Sequence, residues 1–146
     1  MSDQTTAGDA AVENDGKLGF ELASPEALLV SRRADMVVVP GAEGDFGVLP
    51  GHAPFISEVR PGVIDIYSGD KIDERIFVAS GFAEVNEQGC TVLSGEAYPL
   101  DDLDKADVDE RRSDAVDQLA NADNDEERAT AEAEIALCDA MLVALA

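Results

Sequence analysis

All 12 glycines and all 6 prolines of this 146-residue chain lie at or before Pro99. Before that point, short aliphatic runs alternate with turn residues, and after it Ala, Asp, Glu and Leu dominate. Because glycine and proline mark turns and interrupt helices, this distribution predicts strands first and helices afterwards. We therefore expect an all-β domain over residues 17–99, followed by an α-helical hairpin over residues 100–146.

Nine segments in the first part have the composition of β-strands. Ile64 and Ile66 flank Asp65, which is the alternation of a strand with one buried face. Turn residues separate the segments at a spacing typical of a β-sandwich or a barrel. The candidate strands are Leu18–Ala23, Ala27–Arg32, Asp35–Val39, Phe46–Leu49, Phe55–Val59, Gly62–Ser68, Arg75–Ala79, Phe82–Asn86 and Thr91–Ser94.

Two helices are predicted after Pro99. Asp101 and Asp102 are candidates to cap the first helix, and residues 121–124 interrupt it before a second helix that begins near Asp125. A short polar connection of this kind predicts an antiparallel hairpin. The expected apolar stripes are Val108, Ala115, Val116 and Leu119 on the first helix, and Ala131, Ile135, Cys138, Leu142 and Leu145 on the second.

The first 16 residues differ from both parts. Val12 is the only large aliphatic side chain between Ser2 and Asp15. Such a segment buries too little apolar surface to offset its ordering entropy, so we expect a disordered tail over residues 1–16.

The chain is strongly acidic, with 32 acidic against 10 basic residues and a formal charge of -22. The excess is shared equally between the parts before and after Pro99, so the charge density of the hairpin is about twice that of the β domain. This field repels phosphate, which argues against nucleic acid as a partner. It favours basic partners, although a solubilising surface or adaptation to a salty cytoplasm explains it equally well.

The residues that carry metal and redox chemistry are few. Cys90 and Cys138 have no paired spacing, so neither a disulfide framework nor a metal site is expected, and both thiols are predicted to be buried. His52 is the only histidine, and no Ser-His-Asp order, Cys-His pair or phosphate-binding glycine loop occurs. We predict no catalytic residues and no cofactor.

No apolar run approaches the roughly 18 residues that cross a bilayer, so direct membrane insertion is not expected.

The segment Met36–Phe55 combines an apolar run, an acidic tip and two glycine-bracketed turns. Glycine tolerates backbone conformations in which a side chain clashes, and proline fixes φ, so Pro40 is expected to end its strand. His52 is predicted to hydrogen-bond its own turn. The residues assigned to structural turns are Pro40, Gly41, Gly47, Gly51, His52 and Pro54.

This segment closely resembles the signature of the epsilon subunits of bacterial F-type ATP synthases. Phe82 stands where that family often has a second glycine after Gly81. Further segments that resemble the family are Phe20–Glu26, Arg60–Val63, Val78–Gly81 and Thr91–Ala97.

The resemblance implies a flattened sandwich of about ten strands that precedes the helical hairpin. It implies a central-stalk rotor subunit that clamps the gamma subunit and the ring of c subunits, with the helices able to meet the alpha/beta catalytic head and restrain ATP hydrolysis. The protein would be non-catalytic and peripheral, on the cytoplasmic face of the inner membrane. A free-standing β-sandwich module that binds proteins, with an acidic helical tail, is the alternative.

The resemblance also assigns two sets of site residues. Glu43, Gly44 and Asp45 correspond to the acidic loop that faces the ring in the family, although a charged hairpin tip is commonly only solvated. Asp109 and Arg112 fall in the nearest match to a nucleotide-binding motif of some relatives. Cationic groups that could neutralise a triphosphate are scarce there, so any such site is expected to be weak.

Overall fold

The computed structural model describes residues 15–146, which divide into two compact units. One unit ends at Ala97 and the other spans Tyr98–Ala146. Of the predicted N-terminal tail, residues 1–14 lie outside the described residues.

Ten strands form the sheet of the first part of the chain. They are β1 (Leu18–Ala23), β2 (Leu28–Ala34), β3 (Met36–Gly41), β4 (Gly44–Val48), β5 (Phe55–Val59), β6 (Gly62–Ser68), β7 (Lys71–Val78), β8 (Gly81–Asn86), β9 (Gly89–Ser94) and β10 (Ala97–Pro99).

The strand order is β10-β7-β6-β3-β5-β8-β9-β1-β2, and β4 pairs with β3 at the side. β3 meets β5 through the single residue pair Gly41–Val59, so the sheet has two halves that are joined at one point. β1 runs parallel to β9, and β1 and β2 form an antiparallel pair. The predicted sandwich of about ten strands followed by helices is confirmed.

The core lies between the two halves of the sheet. Phe20 and Leu22 from one half and Ile64 and Ile66 from the other belong to one cluster of buried side chains. Each buried side chain of this size contributes about 1.5–3 kcal/mol of transfer free energy. The predicted inward orientation of Ile64 and Ile66 is therefore confirmed, since both are fully buried.

Cys90 is also buried, as expected, and this burial raises the pKa of its thiol to about 12. The thiol is therefore neutral at physiological pH and behaves as a small apolar side chain.

Three strand predictions need correction. Pro40 does not end its strand, because it pairs with Asp45 inside the β3–β4 ladder. The β3–β6 ladder ends at Val38, so the missing N–H of Pro40 interrupts no bond to β6. β7 begins at Lys71 and not at Arg75, and β10 was not anticipated.

The second unit contains a 3-10 turn at Leu100–Asp102, helix α1 at Lys105–Ala120 and helix α2 at Asp125–Leu145. The prediction that Asp101 and Asp102 cap α1 is wrong, since both lie in the 3-10 turn. The cap is Asp104, whose carboxylate accepts a hydrogen bond of 2.8 Å from the Ala106 N–H. Helix α2 begins where predicted, with the Asn124 amide oxygen accepting from the Glu127 N–H at 2.8 Å.

The two helices pack through small and flexible side chains. Val108 and Ala115 of α1 are buried, as are Ala131, Leu137, Cys138 and Met141 of α2. The predicted stripes are therefore partly wrong. Val116 is exposed, and Ile135, Leu142 and Leu145 are only half-buried. The contact face of α2 is rotated toward Leu137 and Met141, because its partner helix decides which side is covered.

Two ion pairs join the helices. The Arg111 guanidinium donates to both carboxylate oxygens of Glu134, and Arg112 Nε donates to Asp139 Oδ1 at 2.6 Å. Both pairs are partly exposed, so each is worth about 0–1 kcal/mol. The Asp139 carboxylate raises the pKa of the Arg112 guanidinium above its ordinary value.

Candidate protein-binding site at the β3–β4 hairpin

The β3–β4 hairpin closes through two turn residues, Ala42 and Glu43, between the paired residues Gly41 and Gly44. Gly44 has a φ of 138°, a conformation that L side chains rarely adopt. A Cβ atom at Gly41 would lie 2.7 Å from the Gly44 carbonyl oxygen and 2.9 Å from the Phe46 ring. Glycine is therefore required on both sides of this turn.

Arg60 fixes the hairpin from the side. Its Nη2 donates to Asp45 Oδ1 at 2.6 Å, and its Nη1 donates to the Gly41 carbonyl oxygen. The backbone adds two further bonds, from the Arg60 N–H to Pro40 O and from the Ala42 N–H to Glu58 O, both 2.9 Å long. Asp45 is thus paired with Arg60, whereas Glu43 forms no ion pair within residues 15–146.

An apolar surface lies beside the acidic tip. The Phe46 and Phe55 rings meet edge to face, with centroids 5.2 Å apart and planes at 77°. Ile56, the next residue of β5, is 71% exposed. Together these side chains line a cleft of about 500 Å³ between the hairpin and β5, which we call the tip cleft; it is lined by Ala42, Glu43, Gly44, Asp45, Phe46, Phe55, Ile56, Ser57 and Glu58.

The structure places the expected site residues as follows. Glu43, Gly44 and Asp45 lie together at the tip. Pro40 and Gly47 lie inside β3 and β4 and not in turns, and Gly41 is the last residue of β3. Pro40 and Gly47 therefore have the extended backbone of a strand and need no turn conformation.

The second glycine-containing turn lies between β4 and β5. Gly51 has a φ of 78°, and the His52 N–H donates to Leu49 O at 3.2 Å. His52 Nδ1 lies 2.6 Å from the Ala53 carbonyl oxygen, so the imidazole bonds its own turn, and Pro54 precedes β5 directly. Both contacts of His52 therefore lie within its own turn.

Sequence reasoning missed the partners that shape the tip, namely Arg60, Phe46, Phe55 and Ile56. One signal was available. Arg60 is the only basic residue between Arg33 and Lys71, a stretch that also contains Glu43, Asp45 and Glu58. A single cation among several carboxylates is an expected ion-pair partner.

The two residues of the weak nucleotide site have other partners. Asp109 accepts from Lys105 Nζ at 2.7 Å, and Arg112 is paired with Asp139. The neighbouring groove between helices α1 and α2 is lined by Arg111 and by four carboxylates, those of Asp107, Glu110, Asp114 and Glu134. A polyphosphate would meet repulsion here.

No group of three or more His, Cys, Asp or Glu side chains is arranged to hold a metal ion within residues 15–146. No helix in the same range is long and apolar enough to span a membrane.

Comparison with known families assigns this architecture to a class. Residues 17–100 match the family described as the β-sandwich domain of the delta/epsilon chain of ATP synthase. The ATP synthase epsilon chain of Rhodospirillum rubrum is 52% identical over 125 residues, which cover 86% of this chain and 93% of the relative. That of Paramagnetospirillum magneticum is 60% identical over 99 residues, which cover 68% and 74%. The chain belongs to the ATP synthase epsilon chain family.

Solved structures show the same fold. A chain of the Euglena gracilis mitochondrial ATP synthase, determined with OSCP, F1 and c-ring, aligns with a TM-score of 0.76 at 19% identity. The alignment covers 92% of this chain and 84% of that one. A chain of the Tetrahymena thermophila central stalk and c-ring aligns with a TM-score of 0.59 at 12% identity, covering 89% and 97%.

Proposed function

We propose that this protein is a rotor subunit of the central stalk of a proton-translocating F-type ATP synthase, bound to the gamma subunit and to the ring of c subunits. Its role is mechanical: it holds the ring to the stalk so that rotation reaches the catalytic head without slipping. The observation that supports the proposal is the acidic tip held by Arg60 on a ten-stranded sheet, in a chain that is 52% identical to an epsilon chain over most of its length.

The tip cleft is suited to a polar loop of the ring. Glu43 presents a carboxylate at the turn, and Phe55 and Ile56 supply an apolar floor beside it. An Arg or Lys side chain from a ring loop can reach the Glu43 carboxylate while its alkyl stem covers the aromatic edge. The Asp45 carboxylate already accepts a hydrogen bond from Arg60. We therefore assign the ring contact to Glu43 and propose that Asp45 holds the hairpin in place.

Rigidity at this position follows from the bonds that hold the turn. Two side-chain bonds of Arg60 and two backbone bonds fix the hairpin to the segment around β5. A pre-ordered contact loses little entropy on binding and deforms little under load. The chain itself then needs no chemistry, and we infer that it is a non-catalytic subunit.

The helical hairpin contributes a weaker contact. Its strongly acidic surface is a poor match for acidic surfaces of the alpha/beta head, so we infer only a modest restraint on ATP hydrolysis. The protein is peripheral on the cytoplasmic face of the inner membrane, held there by its partners. The epsilon chain relationship favours this role over the free-standing β-sandwich module.

Cysteine cross-linking in the assembled enzyme tests the ring contact. The variants are Glu43→Cys and, as a matched control, Glu87→Cys, which replaces an exposed acidic residue in the β8–β9 turn. Each is combined with a single cysteine in the polar loop of the ring subunit. We expect oxidation to cross-link position 43 to the ring and to leave position 87 unlinked. Equal cross-linking yields at the two positions, or a cross-link only at position 87, would contradict a contact between the tip and the ring.

A further inference from the structure

The helical hairpin carries far more negative charge than its own cations can balance. Residues 100–146 contain 15 acidic and 4 basic side chains, an excess of 11 negative charges. All four basic side chains are already in ion pairs, two within a helix and two between the helices. The pairs are Lys105–Asp109, Arg128–Asp125, Arg111–Glu134 and Arg112–Asp139. The hairpin therefore has no further cation of its own to offset the remaining carboxylates.

The apolar contact between the two helices is small. Helix α1 buries only Val108 and Ala115, and α2 buries four side chains, one of which is an alanine. The stabilisation from burial scales with apolar area, so a contact of this size contributes little compared with a domain core. Helices of this length depend mostly on such packing and are marginal when separated. Electrostatic terms therefore have a large share in deciding whether α1 and α2 stay together.

Carboxylates face one another across the groove between the helices. The groove has a volume of about 400 Å³; α1 contributes Asp107, Glu110 and Asp114 to it, and α2 contributes Glu134. Among residues 15–146, Arg111 is the only basic residue that lines it, and its guanidinium already donates to Glu134. Glu110 and Asp114 form no ion pair within the same range. Their charges therefore oppose the approach of the acidic helix α2.

Salt acts on the attraction and on the repulsion, but not equally. The two ion pairs between the helices are close contacts, with Arg112 Nε 2.6 Å from Asp139 Oδ1, and close or partly buried pairs are screened least. The repulsion sums over helices of 16 and 21 residues, about 24 and 31 Å long. The Debye length is about 30 Å at 0.01 M salt and 3 Å at 1 M. Raising the salt concentration therefore removes more repulsion than attraction.

From these observations we propose that ionic strength controls the packing of α1 against α2: the hairpin is closed where salt screens its carboxylates and opens as the salt concentration falls. Glu110 and Asp114 belong to the repulsion that opens it, and Arg111 and Arg112 oppose the opening. The inference is independent of the stalk function, because it concerns contacts within this chain alone. It gives the acidic excess of the hairpin a consequence that needs no basic partner.

Hydrogen–deuterium exchange of the full chain, read by mass spectrometry at constant pH, tests the proposal. Separated helices lose amide protection, so exchange in α1 and α2 reports the opening. Peptides from β6, whose Ile64 and Ile66 are fully buried, serve as the internal reference. We expect the opening constant of α2 to fall at least tenfold between 0.01 M and 1 M potassium chloride and that of β6 to change by less than twofold. Choline chloride should act like potassium chloride, because screening does not depend on the monovalent cation used.

A pair of variants with the same change in charge identifies the source of the effect. Glu110→Gln with Asp114→Asn removes two charges from the groove. The control, Asp70→Asn with Glu87→Gln, removes two charges from the β6–β7 and β8–β9 turns. We expect the groove variant to be better protected than the wild type at 0.01 M salt and to lose at least half of the salt response. The control should match the wild type within twofold, and circular dichroism verifies that each variant forms its helices.

Four results would overturn the proposal, and none of them bears on the stalk function. Protection of α2 that falls as salt rises would show that the ion pairs outweigh the repulsion. Protection that does not change with salt would show that the charges do not control the packing. A groove variant with the full salt response would assign the effect to the apolar contact, which salt also strengthens. An effect of potassium chloride that choline chloride lacks would indicate a specific potassium site in place of screening.

Discussion

Gly81, the first residue of β8, lies against the backbone of β9 with no room for a side chain. A Cβ atom at this position would be 2.0 Å from the Leu93 carbonyl oxygen and 3.1 Å from the Ser94 Cα. Real Cβ contacts are not found below 3.0 Å, so Gly81→Ala forces the two strand ends apart by about 1 Å. The Gly81–Ser94 pair then opens.

The size of the effect follows from what that movement breaks. The Ser94 hydroxyl has one proton, which it can donate to Glu96 O at 2.9 Å or to Ala79 O at 3.1 Å, it accepts from the Glu96 N–H at 3.4 Å, and Ser94 is buried. Losing two such bonds costs about 0.5–1.5 kcal/mol each, and the overpacking adds about 1 kcal/mol. We therefore expect Gly81→Ala to lower the free energy of unfolding by about 2–4 kcal/mol. In a thermal scan this corresponds to a fall in Tm of roughly 8–16 °C.

Gly95→Ala is the matched control. A Cβ atom at Gly95 would have no heavy atom within 4 Å. This substitution should change the free energy of unfolding by less than about 0.5 kcal/mol. Urea unfolding of both variants, followed by circular dichroism, measures the difference. A Gly81→Ala protein as stable as the Gly95→Ala protein would refute the close approach of β8 and β9.

Three further predictions concern single contacts. The Arg33 guanidinium lowers the pKa of Asp15 to about 2, so ionised Asp15 contributes stability that is complete above about pH 4 and is lost as the pH falls toward 2. Asp15→Asn should therefore lower the urea midpoint more at pH 6 than at pH 2, and an equal difference at the two pH values would contradict this. Calorimetric titration with ATP and Mg²⁺ should give no measurable heat at sub-millimolar nucleotide, because Arg112 is paired with Asp139; clear heat would restore the nucleotide site. Asn124→Ala should destabilise α2 by about 1 kcal/mol, which lowers the melting temperature of the helix. An unchanged melting temperature would show that the Asn124 cap does not stabilise α2.

Much of the fold is readable from local pattern. Alternation located β1, β5 and β6 to the residue, and the loss of glycine after residue 99 located the helices. β10 was not predicted, because a strand of three residues is too short to show a hydrophobic period. Pro40 was misjudged because a proline is harmless where no neighbouring strand needs its N–H, and only the three-dimensional pairing shows this.

The helix caps and stripes show a second limit. Several aspartates precede α1, and each is a suitable cap, so sequence could not choose Asp104 over Asp101 and Asp102. In α2, the covered face includes Leu137 and Met141 because α1 lies against that side. A helix with apolar residues on more than one side leaves this choice to its partner.

The candidate site was only half predictable. The resemblance placed Glu43, Gly44 and Asp45 at an acidic tip, and the structure brings them together there. The brace from Arg60 spans 15 residues of sequence, and the Phe46–Phe55 contact depends on the fold of the hairpin toward β5. Contacts of this kind follow from strand pairing, which local pattern does not specify.

ATP-driven proton pumping by reconstituted vesicles tests the central claim most directly. ATP synthase assembled without this chain should hydrolyse ATP with little or no pumping, and addition of the purified chain should restore pumping per ATP hydrolysed. Pumping that is equally efficient with and without the chain would contradict a role in passing rotation between ring and head.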